Sequence, residues 1–163
     1  MSLWKTTALC LLLIVVDAFI LNQGAIAWFT GAWLLLVSVP FTLVSKRWKG
    51  VRLIRLGHIA MGMATVVGVI AFNLASNTMA RERAEAVVAA ANAFHSAQSR
   101  YPHTLEELVP KYLPDVPRAK YTWISGRFRY VYDDGGGQLS YMAVPPFGRR
   151  IYNFKTQRWS YLD

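Results

Sequence analysis

The stretch ARERAEAVVAAANAFHSAQSRYP, Ala80–Pro102, decides how the rest of the chain is read. Ala80, Ala84, Val87, Ala91 and Phe94 recur at alternating steps of four and three residues. Arg81, Glu82, Glu85, Asn92, His95 and Gln98 mostly take the other faces, so the segment is a helix with one apolar stripe. Upstream the pattern is unbroken: from Leu56 to about Ser99 there is no proline, and after Gly68 no glycine. One helix of roughly forty residues, ~60 Å long at 1.5 Å per residue, is therefore expected, uniformly apolar in its first half and amphipathic in its second. Pro102 disfavours helix at Tyr101 and ends it.

Working back from this helix, the first half of the 163-residue chain is unusually apolar. Hydrophobic residues make up 54% of the whole and charged residues only 17%, a balance that points to a membrane before a soluble domain. Thr6–Leu21, Ile26–Val44 and Leu56–Ala75 contain one acid and no Lys or Arg. Each approaches the ~17–25 residues a helix needs to cross ~30 Å of hydrocarbon. The expected layout is three transmembrane helices (about 6–22, 26–44 and 56–76) within a membrane region 1–76, followed by an external domain 77–163. The first window has a second reading. Lys5, the apolar core Ala8–Leu21 and Ala25-Ile26-Ala27 fit a cleavable signal sequence, although Trp28 opens the next apolar run almost at once.

Between the second and third windows, SKRWKGVRLIR, Ser45–Arg55, gathers Lys46, Arg47, Lys49, Arg52 and Arg55. The formal charge of +9 raises nucleic acid as a partner, but cations between two apolar windows mark a cytoplasmic loop and contact with anionic lipid head groups. Lys5 falls on the same side once three crossings are counted. The N-terminus is thus expected in the cytoplasm of a bacterial inner membrane and the C-terminal domain in the periplasm, with no nucleic acid as partner. Trp4, Trp28, Trp33 and Trp48 suit an interfacial belt.

Asp17 is the one ionisable residue well inside a window, and a carboxyl group there is a candidate for function or helix packing. Its distance of about one turn from Asn22 and Gln23 favours the interface or a packing role. Ala60, Ala64 and Gly68 form a small-residue face on the third helix, for the chain's own helices or for a partner subunit. Pro40 is expected to kink the second. Cys10 is the only cysteine, so neither an intrachain disulfide nor a cysteine-based zinc site can form.

After Pro102, Thr104 with Glu107 forms a capping-box pattern over one short turn, and Pro110, Pro114 and Pro117 turn the next residues into a rigid loop. From Tyr121 the period falls to two: Phe128, Tyr130 and Tyr132 alternate with Arg127, Arg129 and Val131. Asp133–Gly137 then turns the chain into Leu139–Val144, and a further hairpin is expected around Lys155-Thr156-Gln157. Four or five antiparallel strands packed on the helix stripe make the external domain α+β. Asp133 and Asp134 are the weak candidates for calcium, and acids before glycines also simply make turns. Histidines 58, 95 and 103 are widely spaced, and no nucleophile elbow, phosphate loop or dinucleotide glycine pattern occurs, so no catalytic residue, cofactor or firm metal site is expected.

The order of elements resembles the type IV pilin and type II secretion pseudopilin superfamily over roughly Leu56–Asp163. The resemblance rests on the alanine-rich Ala84–Phe94, on Tyr101-Pro102, and on Leu105, Leu108, Val109-Pro110, Tyr112-Leu113-Pro114 and Val116-Pro117. It implies a helix running from the membrane into an antiparallel meander, and a part in building an envelope complex. The family's Phe-Thr-Leu-x-Glu processing sequence has no counterpart: Phe41-Thr42-Leu43 follows Pro40, and Ser45 stands where the acid belongs. The reading is therefore of a pilin-like domain on a multi-pass anchor. Trp123, Arg127, Arg129, Arg149, Arg150 and Trp159 are the candidate partner surface, aromatic and cationic together. A non-catalytic scaffolding protein is expected, or alternatively an accessory subunit of a membrane enzyme or transporter complex.

Overall fold

The computed structural model describes residues 3–124, 126–133, 136–144 and 148–162. It shows an α+β chain in which three helices, α1 (Leu3–Leu21), α2 (Ala25–Val44) and α3 (Arg52–Gln98), are long and apolar enough to cross a membrane by length and composition. The chain divides into two compact units, Met1–Leu74 and Ala75–Asp163, with α3 contributing to each.

In the first unit, α1 and α2 are both helical hairpin arms interrupted by wider π-helical turns, at Ile14–Leu21 and Leu34–Ser38. The second interruption has a local cause. Pro40 has no N–H to bond the carbonyl of Leu36 and its ring crowds that carbonyl. The backbone widens just before it, and the Val39 N–H reaches the Leu34 carbonyl five residues back. Proline thus widens the helix rather than breaking it. The small core holds Ala18, Ala27, Val66 and Val69, and the Phe19 and Phe72 rings meet tilted, 5.0 Å between centres. Close approach comes from glycine: a side chain on Gly31 would meet Val66 Cγ1 at 3.0 Å, and one on Gly62 would meet Leu34 Cδ1 at 3.0 Å. The helix α3 starts at Arg52, so Arg52 and Arg55 belong to its first turns, and the link between helices shortens to Ser45–Val51.

The second unit is built on the outer half of α3. Ala80, Ala84, Val87, Ala91 and Phe94, the sequence stripe, are all buried, and close one core with Leu105, Leu108, Leu139, Tyr141, Tyr152 and Phe154. Burying a side chain the size of Val, Leu or Phe contributes about 1.5–3 kcal/mol, so this stripe is what holds the sheet. The four strands β1 (Arg129–Val131), β2 (Gln138–Val144), β3 (Gly148–Asn153) and β4 (Arg158–Leu162) form an antiparallel meander in chain order. Register places Tyr130, Leu139, Tyr152 and Trp159 in one row on the core face. Tyr121–Ile124, expected to begin the strand pattern, is an irregular loop instead.

The connection from α3 to the sheet is pinned by polar contacts. Ser99 leaves the helix with a positive φ of 57°, and Leu105–Leu108 makes one 3₁₀ turn. The expected capping box does not form: Glu107 reaches past Thr104 to the residue before it. The Thr104 side chain makes no cap, and Glu107 accepts from the His103 N–H at 3.0 Å and from Arg100 at 2.9 Å. Burial raises the Glu107 carboxyl pKa, but these partners outweigh it and hold the group below its ordinary range. Tyr130 donates to the Pro102 carbonyl at 2.7 Å, joining β1 to the start of the connection.

Candidate functional site

The most distinctive exposed feature of the second unit grows from a loop closed on itself. The Lys120 N–H donates to the Gly126 carbonyl at 3.3 Å. A Cβ on Gly126 would fall 2.6 Å from the Lys120 oxygen and 2.7 Å from the Thr122 oxygen, both backbone, so glycine is required there. The Lys120 side chain runs inward and donates from Nζ to the Ala143 carbonyl at 2.8 Å, tying the loop to β2. Burial pushes its pKa down to about 8. On the other flank, Arg83 of α3 donates to the Arg118 carbonyl at 2.9 Å and to the Tyr121 hydroxyl at 3.0 Å.

Held in this way, the loop presents Trp123 to solvent at 85% exposure beside Ile124. A groove of about 370 Å³ lies between it and the outer sheet face, lined by Arg118, Trp123, Arg127, Arg129 and Arg149 with Met142. A second groove of about 850 Å³ includes His103, Glu106 and Phe128 and shares Arg118, Arg127 and Arg129. Three arginines therefore stand between two concavities, with a fourth at the rim and an exposed indole beside them. This suits an anionic partner anchored by an aromatic group.

Four residues of the expected surface, Trp123, Arg127, Arg129 and Arg149, come together here. Arg150 and Trp159 do not join them, because successive strand residues point to opposite faces. Arg150 lies opposite Tyr141 and Tyr161 and hydrogen-bonds Tyr141. Trp159 packs on Tyr152 at 5.1 Å and Tyr141 at 6.0 Å, within the core-face aromatic row. Arg118 was missed: it comes after Pro117 in a segment readable only as rigid loop. Asp133 is exposed, and its carbonyl accepts the Gly136 N–H at 2.8 Å in the turn, whereas Asp134 lies outside the described residues. Among the described residues no three His, Cys, Asp or Glu side chains gather as a metal-binding group.

In the first unit Asp17 has a defined job. Fully buried, its carboxylate accepts the Gly24 N–H on Oδ1 at 2.8 Å and the Ala27 N–H on Oδ2 at 2.7 Å. Those are donors that the N-terminus of α2 would otherwise leave unpaired, so the acid caps the next helix from the previous one. Two left-handed residues make the geometry possible, Asn22 at φ 51° and Gly24 at φ 73°. The Asn22 amide donates to the Ala18 carbonyl at 3.1 Å and to Asn73 Oδ1 at 2.6 Å, fixing the turn to α3.

Ala60, Ala64 and Gly68 are exposed, and a Cβ on Gly68 would meet nothing within 4 Å. They do not pack on α1 or α2, because the contacts with those helices run through Gly62, Val66 and Val69 on another face of α3. Of the basic residues, Lys46, Arg47 and Lys49 are exposed on the link. Arg55 Nε donates to Thr42 Oγ1 at 2.7 Å, and that hydroxyl donates to the Ser38 carbonyl at 2.6 Å. Arg52 is half-buried, and its Nε has no acceptor among the described residues.

No family, curated protein or solved structure matches the chain.

Proposed function

We propose that the chain is a non-catalytic protein of a bacterial inner membrane. It crosses three times with its N-terminus in the cytoplasm, and its external pilin- or pseudopilin-like domain assembles or scaffolds an envelope complex of pilus or secretion type. The observation that carries this reading is the surface where Trp123 stands over Arg118, Arg127, Arg129 and Arg149. An exposed aromatic anchor ringed by arginines is the composition of a protein-docking surface, and its charge steers an acidic partner. The membrane part of the reading is supported by the first unit's outer surface. Phe29, Leu36, Val44 and Leu53 point outward there, an apolar exposure that is costly in water and ordinary in lipid.

The outward face of Ala60, Ala64 and Gly68 favours one alternative, an accessory subunit docked by α3 to a membrane enzyme or transporter. Cross-linking and affinity capture of the full chain in mild detergent, with the Trp123→Ala/Arg127→Glu/Arg129→Glu variant alongside, separates the two. Pilus or secretion components captured by the wild type and lost by the variant support the scaffold. Respiratory or transport subunits retained by the variant support the alternative.

A further inference from the structure

The larger groove of the second unit, about 850 Å³, lies beside a free sheet edge. β1 pairs with β2 alone, so its other edge is open. Arg129 and Tyr130 point their side chains to opposite faces of the sheet, yet both line this groove, which places it alongside the strand. The ladder shows which backbone groups are turned that way. The Ser140 hydroxyl donates to the Arg129 carbonyl at 3.4 Å, so Arg129 directs its backbone groups at β2. In an antiparallel pair the next residue directs its own the other way. The Tyr130 N–H and carbonyl therefore face the open edge, and no backbone bond outside the sheet reaches them among the described residues.

We propose that this edge takes up an extended segment of the partner protein as a fifth strand, antiparallel to β1, in which acidic and apolar residues alternate. The inference rests on the docking surface proposed above and supplies its mode of binding. A strand laid there exchanges main-chain bonds with Tyr130, and its side chains fall alternately on the two sheet faces. The two faces differ in chemistry. On the core face stand Phe128, edge-on to Tyr141 at 5.8 Å, and the apolar Leu105 and Val116. Arg129 is on the other, and Arg118 and Arg127 line the same groove. These three arginines meet one acid in the lining, Glu106, and the ion pairs of the described residues, Arg81–Glu85 and Arg100–Glu107, take none of them. Carboxylates at every second position of the incoming strand supply the missing counter-charge, while the residues between them meet the apolar side.

The test uses full-length protein in mild detergent and short fluorescent peptides, read by anisotropy. One peptide alternates glutamate with valine, and a second has the same composition with its glutamates gathered at one end. Two more are the alternating peptide N-methylated on its valines or on its glutamates. Residues opposite each other in an antiparallel pair share a face, so the valine facing Tyr130 gives its N–H to β1 while the glutamate N–H groups point away. The alternating peptide should therefore bind about tenfold more tightly than the rearranged one, and methylated valines should cost about tenfold where methylated glutamates cost little. Arg127→Gln/Arg129→Gln should weaken binding about tenfold as well. No binding of the alternating peptide, equal binding of the rearranged one, or equal effects of the two methylations would overturn the proposal. So would displacement of the peptide by a heparin oligosaccharide at lower concentration, which points to an acidic glycan. Partner capture judges the underlying reading separately: capture lost in the Trp123→Ala/Arg127→Glu/Arg129→Glu variant leaves the docking surface standing and refutes strand addition alone, whereas capture untouched by that variant removes the surface itself.

Discussion

Lys120 lies wholly inside the second unit with its ammonium donating to the Ala143 carbonyl at 2.8 Å, so a cation fastens the Trp123 loop to the sheet. Its pKa, lowered by burial from 10.5 to about 8, makes the loop's anchorage depend on pH. Below about pH 8 the lysine is charged in both folded and unfolded chains, and the folded state bears the desolvation. Between about 8 and 10 only the unfolded chain holds the proton, so stability rises with pH, by up to about 3 kcal/mol. Above 10 the trend reverses, because Tyr130 and Tyr141, raised by burial (Tyr130 to about 12), keep protons in the folded state that the unfolded chain gives up. Denaturant titration followed by tryptophan fluorescence should show this maximum near pH 10. Lys120→Met should abolish the rising limb.

Gly126→Ala tests the loop by sterics alone. Its methyl would collide with two backbone oxygens that cannot swing aside as side chains do, so a loss of about 1–3 kcal/mol is expected in thermal unfolding. Partner capture should fall along with it, since Trp123 and Arg118 ride on the same loop.

Phe154 is the centre of the aromatic cluster, with Tyr101 and Tyr152 at 5.0 Å and Tyr130 at 5.9 Å between ring centres. Phe154→Ala should cost about 3–5 kcal/mol by leaving a cavity where four rings meet. Retention of near-wild-type stability would mean the sheet is not held on α3 through this cluster.

The α1–α2 turn makes a different demand. Asp17→Ala strips the acceptors from two buried N–H groups and should destabilise the first unit by about 2–4 kcal/mol, read from unfolding in mixed detergent micelles. Asp17→Asn keeps one carbonyl acceptor and should lose roughly half as much.

The features legible in the sequence and those that were not divide along a physical line. The stripe Ala80, Ala84, Val87, Ala91 and Phe94 was legible because helical periodicity is a property of the sequence itself, and every member is buried. The hairpins were legible through alternation and turn residues, as in Gln138–Val144. Tyr121–Ile124 was misjudged because its aromatics mimic a strand, whereas the backbone around Lys120 and Gly126 folds into a closed loop. Asp17 was visible as an oddity but its role was not, since capping a helix seven to ten residues later depends on the left-handed Asn22 and Gly24. Arg149 and Arg150 were grouped together, although the two-residue period of a strand already separates them. The π-helical turns and Arg118's place between two grooves come from packing, and no local pattern announces either.

The central claim, a cationic link inside the cell and an α+β domain outside it, is tested most directly by reporter fusions at two positions. A reporter active only outside the cytoplasm should be active at Asp163 and silent at Lys49, and one active only in the cytoplasm should give the reverse. Activity of the external reporter at Lys49, or its silence at Asp163 with the fusion intact, would contradict the account.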